Sequence, residues 1–134
     1  MADAIATPTN PKGLRDIPFP LPEVSATEKR RAKAILAALR ERYPDAHCEL
    51  NYSTPHELLI ATILSAQCTD VAVNKATPAL FERFPTPAAF ANASPSEIEP
   101  HVKSLGFFRN KARAIYESMR DVVEKHDGQV PRTM

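Results

Sequence analysis

The sequence predicts an all-α fold, and three features carry that expectation. Ser/Thr-Pro and Ser-x-x-Glu pairs recur just ahead of apolar stretches, which is how helices commonly begin. Within those stretches apolar residues return at helical spacing. No stretch alternates apolar and polar residues at period two for long enough to make a strand. The expected architecture is a multi-helix bundle of short, capped helices.

Residues 1–24 hold Pro8, Pro11, Pro18, Pro20 and Pro22 among small and polar residues without a sustained apolar period. They read as a disordered or loosely docked leader with no catalytic role. Residues 25–134 read as a helical domain. Ser25-Ala26-Thr27-Glu28 is a capping box, in which the hydroxyl and the carboxylate each satisfy a backbone N–H of the first turn. The helix it opens carries Ile35, Leu36 and Leu39 on one stripe, with Lys29, Arg30, Lys33 and Arg40 elsewhere.

Thr54-Pro55-His56-Glu57 repeats the device with proline at the first helical position, where its missing N–H costs nothing. The helix from Pro55 to about Ala66 is apolar on nearly all sides and is expected to be the central one. Asp70 can cap the next helix, and Thr77-Pro78 marks a kink or a new start. Thr86-Pro87 and the box Ser94-Pro95-Ser96-Glu97 open two short helices, with Gly106 able to end the second in a left-handed conformation. A long helix from about Arg109 to His126 aligns Ala112, Ile115, Met119, Val122 and Val123, and stops at Gly128.

Hydrophobic content of 43% and charged content of 25% match ordinary soluble globular proteins, and no apolar run is long enough to cross a bilayer. A basic start followed by an apolar stretch is absent, so the expected location is cytoplasmic, with Cys48 and Cys68 as reduced thiols. Net charge is +1, but residues 24–43 sum to +4, 44–100 to −5 and 101–134 to +3. Two basic segments around an acidic middle suit phosphate contact, although such charges also simply solvate helix faces. His47, Cys48, His56 and Cys68 lack the close paired spacing of structural zinc sites, so no metal is expected.

Residues 49–76 contain Leu64-Ser65-Ala66-Gln67-Cys68-Thr69-Asp70 and Val73-Asn74-Lys75-Ala76. Downstream, in order, come Leu105-Gly106-Phe107-Phe108-Arg109-Asn110-Lys111-Ala112 and Asp127-Gly128-Gln129-Val130-Pro131-Arg132-Thr133-Met134. From about residue 25 to 134 this pattern resembles the N-terminal half of the endonuclease III-type DNA glycosylases, members of the helix-hairpin-helix DNA glycosylase superfamily. The resemblance implies an all-α fold like the N-terminal part of that family's domain, truncated before the helix-hairpin-helix. It implies base-excision repair of oxidised pyrimidines as DNA glycosylase and apurinic/apyrimidinic-site lyase, with double-stranded DNA carrying a damaged base as partner.

An enzyme that acts on a base in a duplex must extrude it, and something must fill the gap. By resemblance Gln67 enters that gap and Phe107 wedges from the opposite side. Many relatives carry leucine there, but apolar wedges are a general device and an aromatic ring can stack on bases. Arg109 and Lys111, with Arg113, fall near the start of the last helix, where cations and free N–H groups can grip a phosphate. Asp70 could lie near the extruded base, or serve only as a cap.

The family's catalytic amine is a lysine after a Leu-Pro-Gly-Val-Gly-type hairpin. The three glycines here, Gly13, Gly106 and Gly128, form no Gly-x-Gly, so no catalytic residue is expected in this chain and it should be inactive alone. The family commonly builds a 4Fe-4S cluster on four cysteines near its C-terminus. With two cysteines, no cofactor is expected here, and the missing C-terminal half becomes a candidate partner. Two rival readings use the same residues. One is a non-catalytic all-α DNA- or protein-binding module. The other is a relative of adenine-specific mismatch glycosylases, disfavoured because that group has a Gln-rich equivalent of Leu64-Ser65-Ala66-Gln67.

Overall fold

The computed structural model describes residues 23–132, so the leader expected over 1–24 lies almost wholly outside the described residues. All regular structure among them is helical: α1 Ala26–Arg42, α2 Pro55–Ser65, α3 Asp70–Arg83, α4 Pro87–Ala91, α5 Pro95–Val102 and α6 Phe108–Lys125. Two compact units divide the chain. The larger is Cys48–Pro131, and α1 belongs to the smaller.

In α1 the expected capping box forms, with the Ser25 N–H donating to Glu28 Oε2 at 2.8 Å and the Glu28 N–H donating to Ser25 Oγ at 3.2 Å. No residue of α1 is buried, and Ile35, Leu36 and Leu39 are each about half exposed.

The core of Cys48–Pro131 is built from one face of each helix. Ile60, Ala61 and Leu64 of α2 meet Val73, Ala76 and Leu80 of α3, Phe90 of α4, Ile98 and Val102 of α5, and Ala112, Ile115, Met119 and Val122 of α6. α6 packs most extensively against α4 and α5, and it presents the stripe read from its period, except that Val123 is only half-buried. Phe84 and Phe90 pair with ring centroids 5.0 Å apart, and Phe84 meets the His101 ring edge-on at 5.7 Å. α2 is less enclosed than its composition suggested, with Leu58, Leu59 and Ile63 half-buried and Thr62 exposed.

Three local expectations are corrected. The cap of α3 is Thr69, whose Oγ1 accepts from the Ala72 N–H at 3.2 Å; Asp70 is the first helical residue, where its charge suits the positive end of the helix. Pro78 starts nothing. α3 runs through it as one helix, because Val73, Ala76, Thr77 and Leu80 are buried on either side and outweigh the lost backbone bond. The left-handed residue between α5 and α6 is Phe107, not Gly106. Gly128 behaves as expected: at φ 75° it donates to Val122 O at 2.9 Å and closes α6.

The α5 cap makes a pH prediction. The Ser94 hydroxyl and N–H both donate to Glu97 and hold its carboxyl below the usual carboxylate range, as Ser25 does for Glu28. A carboxyl whose folded pKa lies below its unfolded one stabilises fully above the unfolded value and loses that contribution as pH falls through the folded one. Thermal melts should therefore drop as pH is lowered below the ordinary glutamate range. Glu97→Gln should flatten part of that slope, and an identical slope in the variant counts against the cap as its source.

Candidate functional site

Two backbone turns define the site, and both place a large side chain where glycine is the usual choice. Gln67 follows the end of α2 at φ 55°. Phe107 precedes α6 at φ 59° and ψ 31°. Left-handed backbone costs an L-residue roughly 1–2 kcal/mol; among the described residues Gln67, Phe107 and Asp127 carry it, and Asp127 sits in the turn that closes α6 rather than beside the other two motifs. Gln67 and Phe107 are both exposed, Phe107 to 66%.

These turns open on one cleft of about 580 Å³. Ile63, Ala66 and Ala114 supply its apolar lining, and Gln67, Phe107, Asn110 and Lys111 complete it. Residues 40 positions apart in sequence, Gln67 and Phe107, are thus brought to one surface. An apolar-walled opening flanked by an amide and an exposed aromatic ring can accept a flat, partly polar group and stack on it.

Of the three cations at the start of α6, only Lys111 lines the cleft. Arg109 is exposed, with its guanidinium carbon 5.7 Å from the Phe108 ring centroid, and Arg113 is exposed one turn on. Phe107 gives α6 no side-chain cap, so the first N–H groups of that helix lack the acceptor that a serine or threonine provides. Lys111 departs from the surface role read from sequence. It is only 5% exposed, and its Nζ lies 2.9 Å from Cys68 Sγ on the α2–α3 turn. Asp70 stays exposed in the first turn of α3.

Sequence reasoning missed two structural ties. Asn74 of α3 accepts from the Asn51 N–H and donates to Glu49 O, both at 2.8 Å, fixing the segment that leads into α2. The Lys111–Cys68 contact joins the two motifs directly. Both lie inside the quoted motifs, but only the fold shows which atoms meet. Among the described residues no group of three or more His, Cys, Asp or Glu side chains could hold a metal ion, and no helix is long and apolar enough to cross a membrane.

Endonuclease III of Synechocystis sp. is 54% identical over 109 residues, covering 81% of this chain and 50% of the relative. Endonuclease III of Escherichia coli K12 is 44% identical over 103 residues, covering 77% and 49%. A solved endonuclease III trapped as a covalent intermediate with DNA superposes with a TM-score of 0.70 at 42% identity, over 82% of this chain and 50% of that one. A thermostable thymine-DNA glycosylase shares the fold, with a TM-score of 0.67 at 24% identity. The chain thus spans about half the length of the curated relatives it matches. Residues 60–132, which hold both turns of the cleft, match the family model of the HhH-GPD superfamily base excision DNA repair proteins, and the chain belongs to that family.

Proposed function

We propose that this chain supplies the gap-filling face of a DNA glycosylase and apurinic-site lyase that removes oxidised pyrimidines from duplex DNA. The observation that carries the reading is the convergence of Gln67 and Phe107, both left-handed and exposed, on one apolar-lined cleft. When a damaged nucleotide leaves the stack, Phe107 wedges between base pairs and Gln67 occupies the vacated position. Arg109 and the uncapped start of α6 grip a phosphate of the same DNA, and Asp70 lies toward the extruded base. Lys111 acts from inside the cleft, holding the Gln67 turn through Cys68.

The attacking amine lies outside these 134 residues, since no lysine here follows a Gly-x-Gly hairpin. The family's iron–sulfur cluster does not fit this chain either. Its cysteines number two, and Cys68 is engaged by Lys111. In this reading the chain works with a C-terminal half of the kind its longer relatives extend into, in the cytoplasm on double-stranded DNA.

Fluorescence anisotropy with an abasic-site duplex and its undamaged counterpart tests the reading. The chain should prefer the abasic duplex, and binding should weaken steeply as salt rises; no preference at any salt concentration removes the gap-filling role. Borohydride trapping on the abasic duplex should give no covalent adduct beyond that of a denatured control. An adduct would place the catalytic amine among the lysines of this chain.

A further inference from the structure

Lys111 and Cys68 stand out from the DNA-facing chemistry. They lie 43 residues apart, Lys111 is buried, and its Nζ is 2.9 Å from the sulfur of Cys68, a residue only partly buried. A buried lysine ordinarily finds a carboxylate or several oxygen acceptors. Here the partner is a thiol, a weak acceptor. The arrangement holds a nucleophilic nitrogen against an oxidisable sulfur that a small molecule can reach. We infer that Cys68 and Lys111 form an oxidative modification site, in which hydrogen peroxide joins the two side chains through a sulfur–nitrogen bond.

The chemistry balances with peroxide as the oxidant. The Cys68 thiolate attacks one peroxide oxygen, the O–O bond breaks, and the departing hydroxide takes up a proton as water, leaving a sulfenic acid. The free-base amine of Lys111 then attacks that sulfur. The S–O bond breaks, and the hydroxyl leaves as water with one amine proton. One thiol, one amine and one peroxide become a sulfenamide and two waters; sulfur loses two electrons and peroxide gains them. Sulfenic acids condense with a backbone nitrogen to a sulfenamide by the same bond changes, and a thiol reductant restores both groups.

Proximity decides the outcome, because a nucleophile held in contact outcompetes solution partners by a large effective concentration. The bond would tie the turn that carries Gln67 to α6, directly after Phe107, and would remove the positive charge of Lys111. This inference rests on the geometry of the pair and not on the DNA reading.

The test is peroxide treatment of the 134-residue chain bearing Cys48→Ser, so that the exposed second thiol does not intervene. The expected product is lighter by the mass of two hydrogen atoms. Trypsin should no longer cleave after Lys111, and a fragment of residues 43–75 should appear joined to residues 110–113. Dithiothreitol should restore the original mass and the cleavage. Lys111→Arg keeps the charge without a nucleophilic amine and should divert Cys68 to sulfinic acid. Should that variant not fold, the peptide map of the parent chain decides alone. Sulfinic or sulfonic acid at Cys68 with cleavage after Lys111 intact, or the same cross-linked mass in folded Lys111→Arg, overturns the inference.

Discussion

Phe90→Ala should unfold the larger unit at temperatures where the parent chain is native. Phe90 is fully buried on α4, a helix of only five residues that contributes little of its own. It pairs with Phe84 at 5.0 Å, and α4 packs extensively on α6. Truncating a buried phenylalanine costs about 3–5 kcal/mol, a large part of the roughly 5–15 kcal/mol that a domain has in total. For a unit of this size the melting temperature should fall by about 15 °C or more. Leu36→Ala is the control. Its side chain is 47% exposed on α1, where nothing is buried, so its effect should stay near 0.5 kcal/mol as surface substitutions do. Equal shifts of the two melts would mean that α4 does not anchor the core.

The contrast between those substitutions was only partly legible in the sequence. Helix starts were, because capping is local: Ser25, Thr54 and Ser94 each meet a glutamate three residues on, and no distant contact is needed to place them. The stripe of α6 was legible for a similar reason, since period alone orders Ala112, Ile115, Met119 and Val122. Lys111 was not. Its position beside Ala112 carries it to the buried side of the helix, where its Nζ meets a sulfur 43 positions earlier. Pro78 was ambiguous for the complementary reason. Local rules allow a kink or a new helix there, and burial of Thr77 and Leu80 keeps one helix running through it.

The site was legible as residues and not as backbone. The motifs named Gln67 and Phe107, but nothing in composition or spacing said that both adopt positive φ, or that the turn beside Gly106 falls on Phe107 instead. A left-handed turn normally advertises itself through glycine or asparagine. Where selection holds a bulky side chain at such a position, the usual sequence mark is missing.

That conflict yields the second large prediction: Gln67→Gly and Phe107→Gly should leave stability unchanged or raised while weakening recognition of the gapped duplex. Both positions are exposed, so little burial is lost. Glycine removes roughly 1–2 kcal/mol of left-handed strain, against about 0.5–1 kcal/mol of added unfolded-chain entropy. Alanine keeps the strain and should not stabilise. Stacking of an aromatic ring on a base is worth about 1–3 kcal/mol, so losing Phe107 should reduce affinity for an abasic-site duplex by roughly 5-fold to 150-fold. The same abasic site in a single strand offers no stack to fill, and its binding should change little. Melting curves and anisotropy on the two DNAs read both effects in the same variants. Parallel losses on duplex and single strand would reduce Phe107 to a general contact, and a fall in melting temperature for both glycine variants would show that the left-handed turns are not strained.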